Sequence, residues 1–356
     1  MMIGIDATSF LSKNKTGVEK TTCNLILAIL DKDPNNTYWL YSNAPIPKLL
    51  KCENAINKVV PGVKFWTQYY LSKELKNNPP DIFWAPSHML PNFLPKKSVA
   101  TIHDLTWKIM PQIYSFSKRF FSALTVNRAI KNATKLIAVS NQTKKDLIKF
   151  FEVPGEKIEV VYHAVDDVNP EDIDSDIKID MPYFLFVGRI ESRKNVLNII
   201  KAFGGFQKNN KETKLLLVGL PGNQYNQARS LVDELNLESS VQFLDYVSDG
   251  ELVSLYKNAI GFVFPSLYEG FGVPILEAFA LNTPVITSNI GAMKEVTGNA
   301  ALLVNPGSSE DISNAMNKLF ADNNLREDLI SKGSRRLNDF SWGESADKMI
   351  NLWKTL

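Results

Sequence analysis

Short apolar runs of four to seven residues alternate with longer stretches of helical period along the whole chain, and this alternation constrains the fold more than any other feature. Strands covered on both faces read as near-continuous apolar runs, and the helices between them supply the crossovers that parallel pairing requires. An α/β architecture of βαβ units is therefore expected. In the first half the pattern predicts strands over Met2–Ala7, Thr37–Tyr41, Ile82–Ala85, Val99–Ile102, Lys135–Val139 and Ile158–Tyr162. Helices are predicted over Val18–Leu30, Trp66–Lys76, Lys118–Asn132 and Gln142–Phe151, the last with Asn141 as its cap. In the second half, strands are predicted over Tyr183–Val187, Lys214–Val218, Val241–Tyr246, Gly261–Phe264, Val285–Thr287 and Ala301–Val304. Three helical patterns, Glu310–Phe320, Leu325–Leu337 and Trp342–Leu356, follow.

A chain of 356 residues exceeds the size at which one hydrophobic core stops growing, so two domains are expected. The acidic stretch 166–180 is poor in large apolar residues and reads as the linker. It divides an N-terminal doubly wound domain, 1–165, from a C-terminal one, 181–341. With two such domains facing a central cleft, ligands belong where loops leave the carboxyl ends of the strands.

Composition narrows the class further. With 44% hydrophobic and 22% charged residues the chain is an ordinary globular protein, and no stretch approaches the ~18 consecutive apolar residues of a membrane span. The sequence runs straight into a strand at Met2 without a leader pattern, so a cytoplasmic protein is expected, peripheral if it meets a membrane at all. Cys23 and Cys52 offer no disulfide framework, and no three of the histidines and carboxylates have metal-ligand spacing, so no metal is expected. The net charge of +2 hides an asymmetry: residues 1–165 hold 22 Lys and Arg against 12 Asp and Glu, or +10, and residues 166–356 hold 18 against 26, or −8. A basic half would attract anionic lipid headgroups or nucleic acid, or form a solvated lysine face. The lysines are spread over many elements and form no single block, which weighs the solvated face evenly against an anionic partner; no nucleic-acid partner is expected.

Four segments carry chemistry. The loop after Gly261–Phe264 runs into Glu269-Gly-Phe-Gly-Val-Pro-Ile-Leu-Glu277. Pro274 suits the first helical turn, which places Gly270, Phe271, Gly272 and Val273 at a helix N-terminus suited to a phosphate. Glu269 before the helix and Glu277 within it would reach different parts of one ligand and do not form an acid/base pair. In the second segment, Gly188-Arg189 and Lys194-Asn195 stand at opposite ends of one βα loop, where two cations would converge on a diphosphate and make a metal unnecessary. Arg193 beside them is expected to be solvated. The third is Lys15-Thr-Gly-Val-Glu19, in which Gly17 lets a phosphate approach the backbone. In the fourth, His103-Asp104 follows Val99–Ile102 and would bond donor or acceptor hydroxyls, whereas His88 and His163 are expected to be structural.

In combination these residues resemble glycosyltransferase family 4, the retaining enzymes of GT-B fold. The likeness spans the chain and is strongest from Tyr183 to Pro306. It implies that Arg189 and Lys194 bind the donor diphosphate, Glu277 the ribose, and Glu269 with the Phe271–Val273 backbone the donor sugar. His103 would lie beside the scissile bond. It further implies donor contacts from Gly17, Asp104, Gly270 and Leu276, places Val247 beside the base, and has the helix 342–356 cross back to pack on the N-terminal domain. The family's Asn-Gly-Val-Asp turn stands here as His163-Ala-Val-Asp166. The runs Ile102–Trp107, Ser266–Gly270 and Gly298–Ala301 look most like bacterial surface-polysaccharide mannosyltransferases. GDP-mannose with a glycan or lipid-linked acceptor is the expectation. A UDP-hexose or UDP-uronic acid transferase is the close rival, and an inactive nucleotide-sugar-binding module the rival from another class. No cofactor is implied beyond the nucleotide-sugar co-substrate. Lys96-Lys97, Lys118-Arg119 and Lys144-Lys145 are candidates for seating the enzyme on an anionic membrane face.

Overall fold

A computed structural model describes residues 1–13, 15–46, 52–166 and 179–356; most of the expected linker, 167–178, lies outside the described residues. The chain divides into two compact units, Met1–Ala164 with Phe340–Leu356, and Val165–Asp339. Each is a doubly wound, Rossmann-like α/β unit.

The first unit is built on strands β1 (Met2–Asp6), β2 (Thr37–Ser42), β3 (Ala55–Val59), β4 (Ile82–Ala85), β5 (Ser98–Ile102), β6 (Lys135–Ala138) and β7 (Ile158–Val160). They pair in parallel in the order β3-β2-β1-β4-β5-β6-β7, with Ile3 in register with Tyr38 on one side and Ile82 on the other. Strand β3 was not legible in the sequence. As an edge strand it is half-exposed and carries Asn57 and Lys58, so no apolar run marks it. Side-chain bonding fixes it instead, Asn57 Nδ2 donating to Leu40 O at 2.9 Å and to Ser42 Oγ at 2.8 Å.

Two helices fill one core of this unit. Helix Gly17–Lys32 starts at a capping box between Thr16 and Glu19 and buries Leu25, Ile26, Ile29 and Leu30. Helix Trp342–Thr355, capped by Ser341, buries Ala346, Met349 and Trp353 in the same cluster. Trp353 packs on Trp84 of β4 with ring centroids 6.1 Å apart, and Lys32 is ion-paired with Asp347. Elsewhere, Ser140 rather than Asn141 caps helix Asn141–Phe151, because Asn141 is already helical whereas Ser140 is extended (φ −155°, ψ 162°) and its hydroxyl accepts from Thr143 N at 3.0 Å. The helix expected over Trp66–Lys76 is broken into a π-helical turn, Trp66–Leu71, and a short α-helix, Ser72–Asn77, entered from Phe65 at φ 55°.

The second unit holds β8 (Tyr183–Val187), β9 (Lys214–Val218), β10 (Val241–Leu244), β11 (Gly261–Phe264), β12 (Val285–Ser288) and β13 (Leu302–Val304), parallel in the order β10-β9-β8-β11-β12-β13. Strands β11 and β12 are buried throughout, which is why they read as unbroken apolar runs. The strand order reverses between β1 and β4 in one sheet and between β8 and β11 in the other. Loops leaving those strands flank the switch points at which open α/β sheets bind ligands.

Candidate active site

At the second switch point the loop after β8 is shaped by its glycines. Gly188 has φ +147°, and a Cβ on Gly219 (φ +143°) would lie 2.3 Å from Gly188 O, so two glycines let the β8 and β9 loops touch. Arg189 is exposed and anchored by Nε donating to Pro221 O at 3.0 Å. A tight turn, Ser192–Lys194, then ends on Asn195 at φ 63°. Asn195 Nδ2 donates to Pro265 O at 3.0 Å and Pro306 O at 2.7 Å, which locks this loop to those after β11 and β13. Leu267 N donates to Arg193 O at 2.8 Å, a second tie between the β8 and β11 loops.

These ties set three charges against one another. Glu269 is 8% exposed, with Lys194 Nζ 2.5 Å from its Oε1 and Arg193 Nη1 bonded to its Oε2. Arg193 is thus half-buried and doubly paired, its Nε also 2.9 Å from Glu191 Oε1, and the expectation of a solvated side chain is corrected. A buried carboxylate at this point needs more than one cation, and the neighbouring residue of the turn supplies the second. Burial alone would raise the Glu269 pKa; Lys194 and Arg193 outweigh it and hold the carboxyl below its ordinary range. Burial pushes Lys194 down while Glu269 pulls it back, and its ammonium lies 4.4 Å from the Phe264 ring centroid. With both oxygens engaged, Glu269 is a fixed anionic acceptor and a poor nucleophile.

The rest of the segment forms a helix entry. Helix Val273–Ala280 has Pro274 in its first turn and Gly272 as N-cap at φ +116°. A side chain there would be strained in the backbone and its Cβ would lie 2.7 Å from Met293 Cε. Gly270, Phe271 and Gly272 are buried and Val273 is half-buried. Leu276 is fully buried in the core, so its side chain is not available to a donor. Glu277 is half-buried and accepts from Tyr256 Oη at 3.2 Å. Val247 lies in the segment after β10, which stops at Leu244, short of the expected Tyr246.

The first unit holds the remaining candidates. Gly17 begins its helix exposed, and a Cβ there would meet nothing within 4 Å, so the fold itself does not demand glycine. His103, just past β5, is within 2.8 Å of Pro86 O through Nε2. A carbonyl only accepts, so Nε2 carries the proton and Nδ1 presents a lone pair. That Nδ1 is buried and has no hydrogen-bond partner among the described residues, which suits a hydroxyl donor from a ligand. Asp104 Oδ1 accepts from Thr106 N at 2.9 Å, which shapes the turn. The His163 ring stacks on His103 with centroids 5.6 Å apart and planes 15° from parallel. Burial pushes all three histidines down, His163 to about 3. A cavity of about 740 Å³ lies among Leu11, Phe65, Leu90, Phe121, Leu124 and Arg128. The Arg128 guanidinium is held by Asn92 Oδ1 at 2.7 Å and Pro91 O at 2.6 Å. Sequence reasoning missed Arg193, the pairing of the two histidines, and this cavity. Only Arg193 had a local signal, its adjacency to Lys194, already a candidate site residue.

Among the described residues no cluster of three His, Cys, Asp or Glu is placed to hold a metal ion. Residues 169–336 match the family model described as Glycosyl transferases group 1, and residues 49–168 the model described as Glycosyltransferase Family 4. The chain carries a Glycosyltransferase Family 4 domain followed by a Glycosyl transferases group 1 domain. Among its relatives, O-antigen chain mannosyltransferase B of Escherichia coli is 29% identical over 287 residues, which cover 77% of this chain and 74% of that protein. The O-antigen chain mannosyltransferase RfbU of Salmonella typhimurium is 29% identical over 282 residues, 78% of this chain and 76% of that protein. HepE from Anabaena, solved in complex with UDP and glucose, is 18% identical with a TM-score of 0.76, covering 100% of this chain and 99% of its own. That likeness identifies the GT-B fold, with which the two Rossmann-like units of this glycosyltransferase agree.

Proposed function

We propose that this family 4 glycosyltransferase moves mannose from GDP-mannose, with retention and without a metal ion, to a glycan or lipid-linked acceptor of a surface polysaccharide. The observation that carries the reading is the binding of Glu269 by Lys194 and Arg193 beside the Gly272 turn. A carboxylate so engaged does not serve as a nucleophile. The acceptor oxygen instead attacks the anomeric carbon on the face from which the diphosphate leaves. One C–O bond breaks as the other forms, and the acceptor's proton passes to the departing phosphate. Arg193, Lys194, Glu191 and Glu269 sum to zero formal charge, so Arg189 and the backbone amides entering helix Val273–Ala280 carry the excess positive potential for that phosphate. His103 Nδ1 accepts from a sugar hydroxyl, and Glu277 from the ribose.

Mannose as the donor sugar is supported by the names of the O-antigen relatives. A UDP-hexose is the second reading, favoured by the UDP and glucose in HepE. Incubation with GDP-mannose, UDP-glucose and a UDP-uronate in the presence of a chelator, with NMR of the product anomer, decides among them. Turnover only with a UDP-sugar refutes the donor, an inverted anomer refutes retention, and loss of turnover on chelation refutes metal independence.

A membrane-held acceptor is supported by helix Phe116–Asn132 of the first unit. Its buried residues, Val126 and Ala129, lie on one side. Phe116 (80% exposed), Phe120 (64%), Phe121 (53%) and Leu124 (57%) fall within about 140° of arc on another side at ~100° per residue. Lys118 and Arg119 beside them are exposed, as are Lys96 and Lys97. Aromatic and basic residues together suit an interfacial helix on anionic lipid. Lys144 is removed from that basic set, because its Nζ donates to Ile158 O at 2.8 Å. No helix among the described residues is long and apolar enough to cross a membrane. The enzyme in this reading acts at the cytoplasmic face as a peripheral protein.

A further inference from the structure

His103 and His163 leave the ends of β5 and β7, which are separated in the sheet by β6. Strands two places apart are about 10 Å apart. The two imidazoles nevertheless stack at 5.6 Å, nearly parallel, so the segments leaving the two strands bring the rings together. His163 is buried and braced from behind. The Trp342 ring lies 6.3 Å away at 57°, on the first residue of the helix that rejoins this unit. That helix also holds the segment leading to His163, with Ser345 Oγ donating to Tyr162 O at 2.7 Å and Lys348 Nζ to Val160 O at 3.2 Å. Among the described residues His103 has one in-plane restraint, the bond from Nε2 to Pro86 O. A single hydrogen bond leaves an imidazole free to tilt about the bond's axis, because the terminal torsion of histidine is broad. The stacked face of His163 removes that freedom.

We propose that His163 is a positioning residue, whose ring face sets the tilt of His103 and so aims His103 Nδ1 at the donor sugar. The proposal rests on the reading of His103 as a sugar contact. It gives a reason for histidine where the resemblance to the family leads one to expect asparagine. An amide at that position would offer no aromatic face to stack on. Trp342 and the helix behind it act as the backstop, so a residue of the last helix takes part in fixing the ring.

The test compares His163→Phe, which keeps a flat ring, with His163→Leu and His163→Gln, which do not, and uses His103→Ala as the reference. The quantities read are kcat per folded molecule, donor KM, and thermal midpoint as the check on folding. His163→Phe is expected to keep kcat within about threefold, whereas Leu and Gln lower it about tenfold or more with donor KM little changed, as misplacing a reacting group does. The effect of Leu should vanish in the His103→Ala background. Wild-type kcat in a folded Leu or Gln variant overturns the proposal, as does a Phe variant as slow as Leu. Wild-type kcat in His103→Ala overturns the reading of His103 itself, and the proposal with it. The Gln variant, close to histidine in volume, serves if the Leu variant does not fold.

Discussion

Lys194 Nζ and Glu269 Oε1 lie 2.5 Å apart, joining the loop after β8 to the loop after β11 across the strand-order reversal of the second sheet. The pair makes Glu269 a spacer between cations as much as a ligand. Glu269→Gln keeps the shape and removes one negative charge. Turnover is expected to fall about a hundredfold or more, the scale of losing a preorganised electrostatic contact. GDP affinity should be retained or tightened, because Lys194 and Arg193 lose their competing carboxylate. Steady-state kinetics beside calorimetric titration of GDP checks both, and undiminished turnover would remove Glu269 from the active site.

Arg193 was expected to be solvated, so its replacement separates the two views. With the ion pair mostly out of solvent, Arg193→Ala leaves Glu269 to Lys194 alone. A loss of about 1–3 kcal/mol in unfolding free energy is expected, less than the ~3–5 kcal/mol of a buried charge left without any partner. A urea denaturation midpoint equal to wild type would mean the contact is not formed in solution.

Two glycines of the candidate site should respond in opposite ways. Gly272→Ala forces an L-residue into φ +116° against Met293 and should cost about 1–3 kcal/mol of stability. Gly17→Ala meets open space at a helix start and should leave the thermal midpoint unchanged or slightly raised while weakening donor binding. A melt together with a donor KM for each variant distinguishes a glycine kept for the backbone from one kept for a ligand.

Burial, aided by His103, holds the His163 pKa at about 3, against an ordinary value of 6.5. Between those values the unfolded chain binds a proton at His163 that the folded chain refuses, so stability falls as pH drops from about 6.5 toward 3 and levels below that. The depressed carboxyl of Glu269 adds to the same acid limb below its ordinary value of 4.5, since the stability it contributes is lost as pH falls. Urea midpoints measured at pH 7 and pH 4.5 should therefore fall less for His163→Phe than for wild type. Equal losses would show that His163 is protonated in the fold.

For the membrane reading, flotation with anionic vesicles is expected to carry the enzyme at low salt and to weaken as salt rises. Phe120→Ser combined with Phe121→Ser should abolish flotation without lowering the melting temperature, because both side chains are already exposed. Absence of flotation at any salt concentration would sink the reading.

The parallel sheets were legible because their central strands are buried on both faces and leave unbroken apolar runs, as in Tyr183–Val187. Strand β3 was not, because one face of an edge strand meets solvent and its polar residues break the run. Within the candidate site, Gly188, Gly272 and Pro274 were legible because each answers a local backbone need. The pairing of Arg193 with Glu269 and of His103 with His163 was not, since each joins residues 60 or more positions apart through the order of strands in a sheet. Leu276 lies in the same segment of ligand-suited residues, where helical spacing turns its side chain into the core.

The helix Trp342–Thr355 completes the core around Trp84, which gives synthesis of the chain a direction. A ribosome delivers all of the second unit before it delivers Trp353. The second unit can therefore close on itself while the first still waits with an apolar trough along β4 and helix Gly17–Lys32. Of the two units, the one begun first is completed second, and the newborn chain must keep that trough from other partners until helix Trp342–Thr355 arrives.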